Sequence, residues 1–243
     1  MEAPGSRSSP EAQPPRRTLG YWSATMLVIA SMLGTGVFTT SGFLLADLKS
    51  PWLVLAAWVV GGLVAMLGAL SYGALARHIP ESGGEYLFLS RTLHPAAGYV
   101  AGWISLLVGF SAPLAAAANA FGVYTKDWIP GISPPVLGTL LLIVMSAVHA
   151  WNVRHGAAVQ NLAVLLKVLL IAAFVCFGVA RIPGAPADVS ATFSLPAFAM
   201  SLVWVSFSYA GWNAVIYLGG EVTNPERNLP RSLLTGTLLV TAI

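Results

Sequence analysis

Charge is scarce in this chain of 243 residues: only 9% are Asp, Glu, Lys or Arg, against 56% hydrophobic residues. Mean hydropathy is +0.76. That balance excludes an ordinary water-soluble domain and indicates a membrane protein. The formal charge of +3 does not point to nucleic acid, because the basic residues stand singly between apolar runs and form no patch. A single cysteine, Cys176, excludes an intrachain disulfide. The four histidines, His78, His94, His149 and His155, have no HExxH spacing and no CxxC partner, so neither a metal nor another cofactor is expected. No nucleophile and base share a common depth in the apolar runs, which argues against a membrane-embedded enzyme, and no short repeat period is visible.

Long stretches with little or no charge take the place of these features. They run over Thr18–Ala46, Ser50–Ala76, Ala96–Tyr124, Pro135–Val153, Ala157–Ala180 and Leu195–Gly220. A membrane helix needs roughly 20 apolar residues, so six spans are expected, with a seventh beginning near Leu233. Residues 1–17, MEAPGSRSSPEAQPPRR, are too polar and proline-rich to pack and read as a disordered cytoplasmic tail; residues 18–243 form the membrane domain. The apolar run after Arg16 and Arg17 exceeds a signal-peptide core and has no small-residue cleavage site, so it stays a helix. Alternating the loops puts Arg7, Arg16, Arg17, Arg77, Arg91, Arg154, Arg227 and Arg231 on one side, against Lys49, Lys126 and Arg181 on the other. The excess of positive charge on the cytoplasmic side then places the N-terminus in the cytoplasm.

Three irregularities interrupt this pattern. The stretch Ile29–Phe43, IASMLGTGVFTTSGF, carries Gly34, Gly36 and Gly42 among hydroxyl residues inside the first span. Each glycine costs a helix interior about 0.5–1 kcal/mol relative to alanine. Clustered glycines suit either an unwound stretch lining a site or a close helix contact. The sixth span is interrupted in the same way, with Ser206, Ser208, Tyr209, Gly211 and Asn213 at its centre. Two broken spans five apart fit an inverted-repeat transporter, whose broken helices face each other at the midplane. Lys167 lies midway along the fifth span, where a central lysine costs about 2.5–3.5 kcal/mol on insertion scales, so it is expected to face protein or water; Gln160 and Val164 precede it at helical spacing. Between the second and third spans, Pro80–Gly84 turns sharply and Tyr86–Leu89 fits a short interfacial helix, as a gate element or a plain connector.

The motifs SMLGTGVF, PESGGEYLFL, the spaced Asn152-Val-Arg-His-Gly, Gln160 and Lys167, and FSYAGWN followed by GEVTNPERNLPRS together resemble the amino acid permeases of the amino acid–polyamine–organocation superfamily, near the L-type amino acid transporter branch. The resemblance covers almost everything after the tail. It implies an all-α integral membrane protein of the leucine-transporter-type inverted-repeat fold, truncated to the first five-helix repeat, the sixth span and the start of a seventh. It implies secondary active transport of an amino acid or related amine by alternating access, sodium-independent and run as an exchanger or with protons, in the plasma or inner membrane. The substrate is expected along Ser31, Met32, Gly34, Thr35 and Gly36 of the first span and Phe207, Ser208, Tyr209, Ala210 and Gly211 of the sixth. N–H groups near Gly34–Gly36 would take its carboxylate, carbonyls near Met32, Phe207 and Tyr209 its ammonium, and Phe207 matches the gating aromatic.

By the same resemblance Lys167 is expected to tether the broken first span at Ala30–Leu33, where sodium-coupled relatives of the fold hold an ion, with proton carriage ranked below that role. Independently of the resemblance, the SGGEY loop and the NPER segment with Glu221, Arg227 and Arg231 place opposite charges on one side, where they are expected to form a cytoplasmic gate or to stay as solvated loop charges. The partners expected are a small-molecule substrate, the lipid bilayer and, if transport is proton-coupled, protons. The chain departs from the family in Thr35, often Ser, and in Ala210, often Gly, whose methyl narrows the pocket. No external cysteine is present for a disulfide-linked subunit, and none is expected. The alternative is a non-transporting truncated fragment or a structural or sensor protein of the membrane.

Overall fold

The computed structural model describes residues 17–151, 153–180 and 193–243, and of residues 149, 151, 153–161, 179 and 180 the backbone alone. The expected tail up to residue 16, Asn152, Arg181 and the side chains of Arg154 and Gln160 therefore lie outside the described residues. Among the described residues, ten α-helices follow one another: α1 (Tyr21–Met32), α2 (Gly36–Leu48), α3 (Pro51–His78), α4 (Gly84–Thr92), α5 (Pro95–Ile104), α6 (Ala112–Thr125), α7 (Pro134–Trp151), α8 (Val153–Ala180), α9 (Leu195–Tyr209) and α10 (Pro225–Ala242). A π-helical stretch, Ser105–Ser111, joins α5 to α6, and a 3-10 segment, Ala214–Glu221, follows α9. Among the described residues there is no strand, only an isolated bridge between Leu19 and Val222.

Among the described residues, three continuous helical runs are long and apolar enough to cross a membrane: Pro51–His78, Pro95–Thr125 and Leu195–Glu221. The pair α1 and α2, bent by 41°, makes a fourth. The other two expected spans correspond to shorter apolar stretches, Pro134–Val148 and Leu162–Gly178. The seventh starts earlier than expected. Pro225, which needs no N–H partner at the start of a helix, opens α10 two turns before Leu233. The third span contains an irregularity of its own. Its π-helical stretch ends at the start of α6, where Pro113 in the first turn lacks an N–H, and Ser111 Oγ donates to the Leu106 carbonyl five residues back at 2.8 Å, which suits the wider turn.

Packing divides the chain into two groups. In the first, α3 is the centre. Its buried face is Ala57, Gly61, Gly62, Ala65, Ala69, Gly73 and Ala76, a small-residue stripe that lets α9 and α10 approach closely. Gly73 lies against Pro230 and Gly68 against the Trp212 ring. Around this face α1, α2, α9, the 3-10 segment and α10 pack on α3 and on one another. In the second group α4, α5, the π-helical stretch, α6, α7 and α8 each pack on the next. The two groups meet chiefly where α4 touches the 3-10 segment.

Candidate functional site

The two broken spans are joined to each other at their breaks. In the first, α1 stops at Met32 and α2 restarts at Gly36. Gly34 N–H turns back to the Met32 carbonyl at 2.8 Å, and Phe38 N–H to that of Thr35 at 3.1 Å. In the sixth span, α9 stops at Tyr209, and Ala210 N–H donates to the Phe207 carbonyl at 3.2 Å. Gly211 then adopts a φ of +105°, open to glycine at little cost. A Cβ on Gly211 would stand 2.6 Å from the Ser31 carbonyl oxygen, and one on Gly36 would stand 2.9 Å from the Ser208 Cα. Glycine at both positions is therefore what lets the two breaks touch. Thr40 Oγ1 and Ser208 Oγ share a hydrogen bond of 2.7 Å that locks the pair.

Of the expected substrate residues, these contacts bring Ser31, Gly36, Ser208 and Gly211 together. Ser31, Gly34, Thr35 and Ala210 are exposed beside them, and the Phe207 ring is 68% exposed. Three side chains on the expected list point elsewhere. Met32 is packed in the core at 1% exposure. Ser208 Oγ is occupied by Thr40 and by the Trp204 carbonyl. The buried Tyr209 donates its hydroxyl to the Trp58 carbonyl at 3.3 Å. What Met32 and Tyr209 can offer a ligand is backbone, not side chain. Next to the breaks lies a largely apolar cavity of about 410 Å³. Ser208 and Tyr209 line it with Leu33, Val37, Trp58, Phe174 and Thr241.

Lys167, half-buried on α8, sends its ammonium to the Leu33 carbonyl at 2.9 Å. Leu33 is the C-cap of α1, where the terminal carbonyls lack intrahelical donors and the helix dipole favours a cation. The hydrogen bond bridges the two helix groups at the first break.

Between α4 and the loop before it, the one ion pair among the described residues joins Arg91 to Glu81 at 2.9 Å. Glu221 and Arg227 are both exposed and do not pair with each other. The backbone carbonyl of Glu221 instead accepts from Thr18 and Leu19 N–H at 2.8 and 2.9 Å. Arg227 lines an open cavity of about 500 Å³ with Arg77, Glu226, Pro230 and Arg231. Sequence reasoning missed the polar contacts of α4 with the 3-10 segment. Glu85 accepts from Asn213 Nδ2 and from Tyr217 Oη, and Ser82 Oγ accepts from Gly220 N–H at 3.0 Å. The signal available was the carboxylate in PESGGEY, but its partners lie more than 120 residues on.

Comparison with known proteins identifies the family. The family model for amino acid permeases matches residues 23–243. The serine/threonine exchanger SteT of Bacillus subtilis (strain 168) is 30% identical over 237 residues, 94% of this chain and 53% of that protein. The human b(0,+)-type amino acid transporter 1 is 30% identical over 249 residues, 96% of this chain and 51% of its own. Human large neutral amino acids transporter small subunit 2 is 29% identical over 243 residues, 94% and 45%. The chain thus spans about half the length of these curated relatives. Both breaks, the Lys167 bridge and the apolar helices lie inside the matched region, and the chain is an integral membrane protein that belongs to the amino acid permease family.

Proposed function

We propose that the protein carries an amino acid or a related amine across the membrane by alternating access, without sodium. The observation that carries this reading is the joined pair of helix breaks, with the ammonium of Lys167 seated on the first. A zwitterion needs donors for its carboxylate and acceptors for its ammonium. The start of α2, at Thr35 and Gly36, leaves first-turn N–H groups at the positive end of a helix, and Gly34 adds exposed backbone beside them. The carbonyls of Met32 and Phe207 each accept one local hydrogen bond and keep a second lone pair for the substrate ammonium, with Tyr209 as a further backbone acceptor. The exposed Phe207 ring closes over the substrate, and the Ala210 methyl trims the space beside it. That trimming favours small side chains over large aromatic ones, a preference in line with the serine/threonine exchanger among the relatives.

In this reading Lys167 does what a bound cation does in other transporters of the fold, holding the broken first span to α8. Its role is a tether, ranked above that of proton carrier, and exchange suits a permanently charged tether. Glu221 and Arg227, on the face where the basic loops gather, contribute to the cytoplasmic gate, and the protein sits in the cell membrane with its N-terminus in the cytoplasm. The test is uptake and exchange of a panel of amino acids and amines by the full-length protein in proteoliposomes, in sodium and in choline buffers. The expected outcome is exchange of at least one small amino acid at equal rates in both. A requirement for sodium, or no amino acid or amine among the substrates, overturns the reading.

A further inference from the structure

Glu85 stands at the joint between the two helix groups. Gly83 (φ +145°) and Gly84 (φ +57°) turn the chain into α4 just before it, and its two carboxylate oxygens accept separately, one from Asn213 and the other from Tyr217. Both donors lie beyond the second break, on the cytoplasmic half of the sixth span, and neither lies on α9. No cation pairs with this carboxylate among the described residues; the ion pair of the same loop is Glu81 with Arg91. Around the bonds the fit is close. Gly84 lies against the Tyr217 ring, and a Cβ on Gly219 would stand 2.7 Å from the Glu81 carbonyl oxygen. The Phe110 ring of the π-helical stretch meets the Tyr217 ring at 5.0 Å.

We propose that Glu85 is a positioning residue for transport: it is the catch that holds the cytoplasmic half of the sixth span against α4, and it lets go when the site opens to the cytoplasm. The inference rests on the transporter reading above. Several features fit a catch better than a permanent weld. The donors on this carboxylate, Asn213 and Tyr217 with Tyr72 of α3 beside them, are all neutral and are replaced readily by water when the joint opens, whereas inside the joint they exclude it. The first group is continuous through α3 and the second through neighbouring helices, so each can move as a body and the contact between them is where motion concentrates. The contact also lies beyond a helix break, where the backbone has already given up its regular ladder.

The experiment reads the joint directly, independent of transport. In full-length protein with Cys176→Ser and any further native cysteine replaced, nitroxide labels on Leu93→Cys and Glu226→Cys, both exposed positions, report the separation of α4 from α10 by pulsed electron resonance. The starting protein is expected to give one short, narrow distance. Glu85→Gln and the milder Tyr217→Phe are each expected to add a longer component, and the double variant to add little beyond the stronger single one. Glu81→Gln, which removes the neighbouring ion pair, is expected to leave the distance unchanged. In proteoliposomes the same two variants are expected to raise the external KM by about fivefold or more and to lower the cytoplasmic KM, because the inward-facing population grows. Loss of folding alone would lower the maximal rate without moving that ratio. Unchanged distances in both Glu85→Gln and Tyr217→Phe overturn the proposal even if amino acid transport is confirmed. A longer component in a protein that moves no amino acid sustains the catch and sinks the transport reading instead.

Discussion

Lys167 and Gly211 each fix one of the helix breaks, by opposite means. Lys167 supplies a charge-assisted hydrogen bond to Leu33, a class of bond worth about 1.5–3 kcal/mol. Lys167→Ala is expected to cut the transport rate of the full-length protein at least roughly tenfold, as that energy implies. Lys167→Arg keeps the charge, but its planar fork does not replace a compact ammonium, so it too should be severely impaired; a wild-type rate in Lys167→Ala would remove the tether. Gly211 contributes by having no side chain. Gly211→Ala forces an L residue to a φ of +105° and drives a methyl against the Ser31 carbonyl, and strain of this kind costs about 1–3 kcal/mol. A lower thermal midpoint for the purified variant is expected, and no change would mean the two breaks do not depend on this contact. The lysine was legible in the sequence because an isolated charge amid apolar residues is conspicuous. The glycines were legible only as a group. Gly36 and Gly211 are held by backbone from the other break, while Gly34 and Gly42 meet nothing within 4 Å. Nothing local in the sequence separates the two kinds, because the neighbour that matters is some 170–180 residues away.

Among the elements, α3 shows how much of the packing a simple pattern can specify. Ala57, Gly61, Ala65, Ala69 and Gly73 recur every four residues, and that stripe becomes the buried face. At Gly61 an added Cβ would collide with Val205 of α9, and overpacking a tight contact costs about 1–3 kcal/mol. Gly61→Val is therefore expected to lower the thermal midpoint and the yield of folded protein, measured by monodisperse elution in detergent. Gly20→Ala, where nothing lies within 4 Å, is the matched control. The breaks in the first and sixth spans were readable from clustered small and polar residues, and the short helix α4 from the apolar run Tyr86–Leu89 between Glu85 and Arg91. The π-helical stretch at Ser105–Ser111 was not. Its cause, Pro113, looks in sequence like any proline of a membrane helix, and the wider turn is set by how the freed carbonyls are satisfied.

For the whole molecule, the order of the apolar segments followed from hydropathy, although among the described residues only three continuous runs and one bent pair reach the length and apolarity of a span. The division into two groups did not follow, since it depends on which faces meet. The cytoplasmic gate illustrates the difference. Glu221 and Arg227 were selected as opposite charges on one side, and they remain part of the proposed gate, but the described contacts across the joint belong to Glu85 and Ser82. Exposed ion pairs contribute about 0–1 kcal/mol, so Glu221→Gln and Arg227→Ala are expected to change the transport rate by no more than about fivefold and to leave the thermal midpoint in place. Transport at the wild-type rate in both variants would take these two residues out of the gate.

The backbone pairing of residues 18–19 with 221–223, together with the hydrogen bond from Tyr21 to Thr235, has a consequence for biogenesis. Helix α1 is finished by a partner that lies 214 residues further along the chain. Val28 of α1 is fully buried, and it lies against Gly236 of α10. At a synthesis rate of about 5–20 residues per second, some ten to forty seconds separate α1 from the partner that covers it. Throughout that interval α1 waits in the bilayer with its interior face turned to lipid or to the insertion machinery. The apolar character of all its faces, which hides its orientation from any sequence pattern, is what makes that wait tolerable.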